Sequence, residues 1–164
     1  MSKPKVEFID PREAAPRAVQ LNKPVFDAKA VTRADETLKA MSGSFGEWLD
    51  GDIEKLQAAR VAGEQASWTD ASLQTLFAAA HDLKGMGATY GFPLVTQLAA
   101  SLCRLTETDA GKDAARANPS LVTAHVDALR AAARDQITST AHPIGRALVQ
   151  ALEAHVDMLG VAPE

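Results

Sequence analysis

The chain has 164 residues and a mass of 17.3 kDa, which is the size of one domain. A domain of this size can bury about 70% of its unfolded surface, so its core needs no metal or disulfide for stability. Its formal charge of −4 and its pI of about 5.6 argue against nucleic acid as the main partner, because phosphate contacts require clustered Lys and Arg. The single cysteine, Cys103, excludes an internal disulfide and a cysteine-cage metal site. Without a long apolar run or a signal-peptide pattern, we expect no membrane span and a cytoplasmic location.

The composition also favours one fold class. The sequence holds 32 alanines and 16 leucines, while aromatic residues make up only 5%. Closely packed helices use such residues, whereas sandwiches and barrels draw on Val, Ile, Thr and aromatics. No alternation typical of strands is present. We therefore predict an all-α protein.

The N-terminal part is divided by proline. Four of the eight prolines lie within residues 1–24, which we predict to be a flexible arm. A short helix is expected over about Asp27–Met41 and a second over about Gly46–Ala62, with Gly63 ending it. The apolar stripe of the second helix consists of Trp48, Leu49, Ile53 and Leu56.

Apolar periodicity continues through the rest of the chain. Thr69 or Asp70 can cap a helix that ends near Gly91, and a further helix begins at Pro93. The polar, small residues 109–118 read as a loop. Two last helices are predicted over Pro119–Gln136 and Pro143–Leu159.

These helices are joined by short connections, which favour antiparallel neighbours. We predict an up-down four-helix bundle with additional N- and C-terminal helices. The domain organisation would be an arm over residues 1–24, the bundle over residues 25–160 and a tail over residues 161–164.

The helix around His81 contains two interior glycines, Gly85 and Gly87, each costing about 1 kcal/mol relative to alanine. Ala78, Gly85 and Ala88 share the face of His81 at i−3, i+4 and i+7. The imidazole is therefore expected to project from a surface without large side chains, where a partner protein can reach it. Gly87 lies on the core side and would admit a neighbouring helix.

Lys84 follows His81 at i+3 and suits a phosphoryl group better than a metal. Its ammonium disfavours the imidazolium, which leaves a ring nitrogen free as a nucleophile. After transfer the same ammonium faces a phosphoryl group that carries close to two negative charges. A metal site would need converging ligands, and the i+4 position holds Gly85.

Residues 81–85, His-Asp-Leu-Lys-Gly, followed by Gly91, resemble the H-x-L-K-G signature of histidine phosphotransfer (HPt) domains. The sequences Phe-Pro-Leu-Val at 92–95 and Ser-Leu-Cys-Arg-Leu at 101–105 are similar to bacterial stand-alone HPt proteins. Met86 and Tyr90 depart from the pattern, since a small residue and an aliphatic residue are usual there. The resemblance covers about 25 residues and implies an HPt-like four-helix bundle.

The resemblance also implies a function, that of a phosphorelay intermediate. His81 would be the phosphoacceptor, Lys84 would stabilise the phosphoryl group, and Gly85 would be the gap that admits the partner. The partners would be response-regulator receiver domains and an upstream or hybrid histidine kinase. Mg²⁺ is expected on the receiver, and no cofactor in this chain. We expect a monomer. We also expect no autokinase activity, because no phosphate-cradling glycine loop precedes a helix.

Further docking residues are expected on the next helix. His81 lies ten residues before Gly91, so an antiparallel partner helix returns to its level near residues 100–104. Members of the family often place a polar side chain there, frequently Gln. Cys103 and Arg104 are the candidates in this chain, beside the docking face of Ala78, Gly85 and Ala88.

Two other functions remain open on the sequence. One is a non-catalytic helical adaptor whose glycine face binds a partner helix. The other is a dimeric HPt-like phosphotransferase derived from a kinase dimerisation domain. The remaining histidines, His125, His142 and His155, lack the setting of His81 and are interpreted as structural.

Overall fold

The computed structural model describes residues 28–161, except for the side chains at positions 28, 38–40 and 42. This part of the chain forms α-helices and no strand, so the all-α prediction is confirmed. None of the helices combines the length and hydrophobicity that a membrane crossing requires. The six helices are α1 (Ala28–Gln65), α2 (Asp70–Met86), α3 (Pro93–Glu107), α4 (Asp109–Ala117), α5 (Pro119–Arg134) and α6 (Pro143–Met158).

The chain divides into two compact units, residues 1–38 and residues 39–164. In the first unit the structure describes only the beginning of α1, and the side chains of residues 29–37 are all exposed. The predicted arm over residues 1–24 lies outside the described residues. All packing given below belongs to the second unit.

The two helices predicted before residue 63 are a single helix, α1. The expected break between Met41 and Gly46 was wrong, because Ser and Gly weaken a helix without ending it once the helix propagates from both sides. Gly63 does not end α1 either. It admits the ring of Trp68, since a β-carbon built at Gly63 would lie 2.5 Å from that indole.

The helix starts follow the sequence signals. The Thr69 side chain caps α2 by accepting a hydrogen bond from the Ser72 backbone N–H at 3.4 Å. Proline occupies the first turn of α3, α5 and α6, as predicted from Pro93, Pro119 and Pro143. Gly91 has a φ of 91°, a left-handed conformation that favours glycine in the turn between α2 and α3.

The segment predicted as a loop at 109–118 contains the short helix α4, so that prediction was wrong. Thr108 caps it by accepting a hydrogen bond from the Gly111 N–H at 3.1 Å. Gly111 and Ala115 form its buried side, and a β-carbon at Gly111 would clash with the Arg104 carbonyl oxygen. Small residues here serve close packing against α3.

The core is built around α3, which packs against α2, α4, α5 and α6. The α1 helix contributes Leu49, Ile53 and Leu56 to the same core. α1 and α2 are antiparallel, because Trp68 packs at Gly63 while Tyr90 reaches Asp52. Residues 39–134 therefore form an up-down four-helix bundle of α1, α2, α3 and α5, to which α6 is the additional C-terminal helix.

One polar pair lies inside this core. The Ser101 hydroxyl lies 2.9 Å from Nε2 of His125, and His125 Nδ1 lies 2.8 Å from the Leu121 carbonyl oxygen. The carbonyl can only accept, so Nδ1 carries the proton and the hydroxyl donates to Nε2. Burial lowers the pKa of His125 to about 4, and the charge of His155 acts in the same direction. His125 is thus a neutral structural link between α3 and α5.

Candidate functional site

His81 lies in the second half of α2 with its imidazole exposed to solvent. The ring of Phe77, one turn earlier, packs against it with a centroid distance of 5.5 Å and an interplanar angle of 40°. Within residues 28–161, neither ring nitrogen of His81 takes part in a hydrogen bond. Both nitrogens are therefore available to a group that comes from outside.

The small residues predicted around His81 are exposed with it. Ala78, Gly85 and Ala88 are all accessible, and a β-carbon built at Gly85 would meet no atom within 4 Å. A helical side chain leans toward the N-terminus of its helix, so a long side chain at position 85 would lie over His81. Glycine at this position leaves the imidazole uncovered.

Gly87 serves the opposite side of α2, as predicted. A β-carbon there would lie 2.9 Å from the Thr96 hydroxyl oxygen and 3.0 Å from the Thr96 nitrogen on α3. The same hydroxyl accepts a hydrogen bond of 2.9 Å from the Ala88 backbone N–H. This contact fixes α2 against α3 directly below the exposed face.

Charged residues follow His81 along α2, and others lie on α1. Lys84 is half-buried at i+3, and Asp82 is exposed next to His81. On α1, Lys55 Nζ donates a hydrogen bond of 2.8 Å to Asp52. That hydrogen bond and the carboxylate charge raise the pKa of Lys55, and Asp82 adds to the effect. The surface beside His81 thus carries both signs of charge.

An aromatic cluster lies where α1 meets the C-terminal end of α2. Trp48 packs at 5.6 Å from Phe45 and 6.2 Å from Tyr90, measured between ring centroids. Trp48 is 44% exposed and Met86 is 39% exposed. Trp48 was predicted in the core stripe of α1, but its neighbour Leu49 takes the buried position. Two consecutive residues point about 100° apart around a helix. This spacing alone indicates that only one of Trp48 and Leu49 faces the core.

A family comparison bears directly on this site. A model of the Hpt domain family matches residues 40–159, which is most of the chain and includes every helix of the bundle. The chain belongs to the Hpt domain family. Its membership implies histidine phosphotransfer in a phosphorelay with two-component partners. A search of curated proteins and a search of solved structures each returned no match.

Two residues predicted for docking do not belong to the exposed face of this Hpt domain. Cys103 is fully buried in the core, where a docking partner does not reach its side chain. The Arg104 guanidinium is directed to the C-terminal end of α6, where it donates to Asp157 at 2.6 Å and to the Val161 carbonyl at 2.5 Å. The sides of α3 that carry these two residues thus face the core and α6.

The other histidines of the Hpt domain have structural contacts. His125 is buried with Ser101, and His142 Nδ1 accepts a hydrogen bond of 3.4 Å from the Gly145 N–H at the start of α6. His155 is exposed and donates from Nδ1 to the Ala151 carbonyl at 2.7 Å. Across residues 28–161 no three His, Cys, Asp or Glu side chains are grouped so that they could hold a metal ion.

Proposed function

We propose that this Hpt domain accepts a phosphoryl group on His81 from the aspartyl phosphate of one receiver domain and passes it to the aspartate of another. The observation that carries the proposal is the exposed, hydrogen-bond-free imidazole of His81 on a face of small residues. The receiver supplies the Mg²⁺ and the reactive aspartyl phosphate, and this chain supplies a positioned nucleophile.

The chemistry requires only a neutral imidazole. The lone pair of a ring nitrogen attacks phosphorus, an N–P bond forms, and the P–O bond to the receiver aspartate breaks. The aspartate leaves as a carboxylate, and the proton on the second ring nitrogen passes to water. The reverse sequence returns the phosphoryl group to a receiver, so one histidine serves both steps.

Lys84 is the proposed stabilising group for the phosphorylated state. It lies at i+3 from His81, on the adjacent turn of the same exposed side of α2. Opposite unit charges about 4 Å apart gain about 1 kcal/mol in water and about 4 kcal/mol at an effective dielectric of 20. A surface site lies toward the lower value, which stabilises phosphohistidine without preventing its onward transfer.

The docking surface is proposed to be the exposed face formed by Ala78 and Gly85 of α2 and by Ala88 in the turn that follows Met86. The exposed sides of Trp48 and Met86 flank it at the junction with α1 and add apolar contact area. Aromatic side chains of this kind contribute strongly to interfaces, while a small-residue face lets a partner helix come close. A small interface suits a relay that must release each partner.

The test is label transfer from a phosphorylated receiver domain to the full chain. We expect acid-labile, base-stable label on the wild type, none on His81→Gln, and wild-type labelling of His155→Gln, which removes another exposed helical imidazole. Label that persists in His81→Gln would overturn the proposal. Binding of receivers without any transfer of label would instead support a non-catalytic adaptor. A dimer detected by light scattering would instead support the dimeric phosphotransferase.

A further inference from the structure

Among the aromatic rings of residues 28–161, the ring of Phe77 is the one that packs against the imidazole of His81, at 5.5 Å between centroids. We propose that Phe77 is a positioning residue, which holds the imidazole in the orientation that attacks phosphorus. The inference rests on the proposed function of His81 and adds a second residue to its site.

Phe77 is itself held in place. Its ring is half-buried and packs against the hydrophobic core, so its orientation is set by the bundle. The centroid distance of 5.5 Å lies within the range that aromatic pairs prefer, and the two rings are tilted by 40°. A ring fixed by the core can therefore restrict the motion of a solvent-exposed ring beside it.

The effect on His81 follows from helix geometry. A helical side chain leans over the preceding turn, where His81 meets Phe77 at i−4 and Ala78 at i−3. Phe77 closes one side of the imidazole, and the methyl group of Ala78 leaves the other side open. Since no group within residues 28–161 forms a hydrogen bond with the ring nitrogens, the contact with Phe77 is the proposed restraint on rotation of the imidazole.

A fixed imidazole reacts faster because a larger share of its conformations is close to the attacking geometry. Phosphoramidate, a small phosphodonor, tests the effect of Phe77 on this reaction rate without any docking partner. The ring nitrogen of His81 forms an N–P bond, the P–N bond of phosphoramidate breaks, and ammonia leaves. The remaining proton of the imidazolium passes to water, as in transfer from a receiver.

The experiment compares variants at position 77 in the full chain. Phe77→Leu and Phe77→Met remove the ring but keep an apolar side chain, whereas Phe77→Tyr keeps the ring. We expect Phe77→Leu to lower the phosphoramidate rate about two- to tenfold, the factor that corresponds to an aromatic pair. Phe77→Tyr should restore it. Phe77→Met provides the same comparison should Phe77→Leu lower the melting temperature.

A spectroscopic measurement separates positioning from general stability. In the wild type, the Phe77 ring shields the carbon-bound protons of the imidazole, and this NMR shift should disappear in Phe77→Leu and remain in Phe77→Tyr. If Phe77→Leu reacts with phosphoramidate at the wild-type rate and its imidazole shifts are unchanged, the positioning role of Phe77 is overturned. The proposed function of His81 is not affected by that result. A wild-type chain that accepts no phosphoryl group from phosphoramidate or a receiver would overturn the proposed function, and the role of Phe77 with it.

Discussion

Gly87 of α2 lies so close to Thr96 of α3 that a β-carbon at Gly87 would stand 2.9 Å from the Thr96 hydroxyl oxygen. Two residues earlier on the same helix, a β-carbon at Gly85 would stand in open space. The two glycines thus serve opposite sides of α2. One fixes the helix against the core, and the other leaves the imidazole of His81 uncovered for a partner.

This contrast predicts opposite stability changes for two chemically identical substitutions. Gly87→Ala should lower the free energy of unfolding by about 1 to 3 kcal/mol, because Thr96 and the Leu83 carbonyl must give way. Gly85→Ala should raise it by about 1 kcal/mol through helix propensity. Urea denaturation measures both, and changes of the same sign would contradict the assignment.

A large side chain at position 85 should block partner access without unfolding the bundle. Gly85→Leu would lie over His81, so we expect phosphoryl transfer from a receiver to fall at least about tenfold, while stability is maintained or raised. Gln150→Leu adds the same side chain at an exposed position of α6 and serves as the control. Equal transfer to both variants would show that the α2 face is not the docking surface.

The exposed indole of Trp48 should contribute to receiver binding. Trp48→Ala is expected to weaken binding about tenfold, since aromatic side chains of this kind are frequent interface hot spots. The rate with phosphoramidate should stay unchanged, because a small phosphodonor needs no docking surface. Titration calorimetry with a receiver measures the affinity, and an unchanged dissociation constant would restrict Trp48 to packing against Phe45 and Tyr90.

His125 should make stability depend on pH. The unfolded chain takes up a proton there near pH 6.5 and the folded chain only near pH 4, so stability is complete above pH 6.5 and decreases as the pH falls toward 4. The full difference corresponds to about 3 kcal/mol. Urea denaturation between pH 7 and pH 5 should give a flatter dependence for His125→Gln than for His155→Gln. Identical slopes would contradict the burial of a neutral imidazole.

Most of the fold could be predicted from local signals. Proline at the start of α3, α5 and α6, the cap at Thr69 and the turn at Gly91 each act within one or two turns of helix. The continuity of α1 and the presence of α4 could not be predicted in this way. The continuity of α1 depends on propagation of the helix from both sides of residues 42–45. The helix α4 depends on packing, since Gly111 and Ala115 form its buried side against α3.

The candidate site also contains residues that local sequence predicts and residues whose positions depend on packing between helices. His81, Lys84 and the exposed small face follow from the periodicity of a single helix. Cys103 and Arg104 lie on a second helix, and the register between helices predicts their level but not their direction. The side of α3 that carries Cys103 is buried, and α6 binds Arg104 through Asp157. Sequence spacing alone holds no information about that arrangement.

The position of the phosphoryl group on the chain can be determined directly. The full chain is phosphorylated by a receiver domain, digested at alkaline pH where phosphohistidine survives, and the peptides are sequenced by mass spectrometry. We predict one phosphoryl group per chain, on His81. A phosphoryl group on His125, His142 or His155, or none on histidine, would contradict the account.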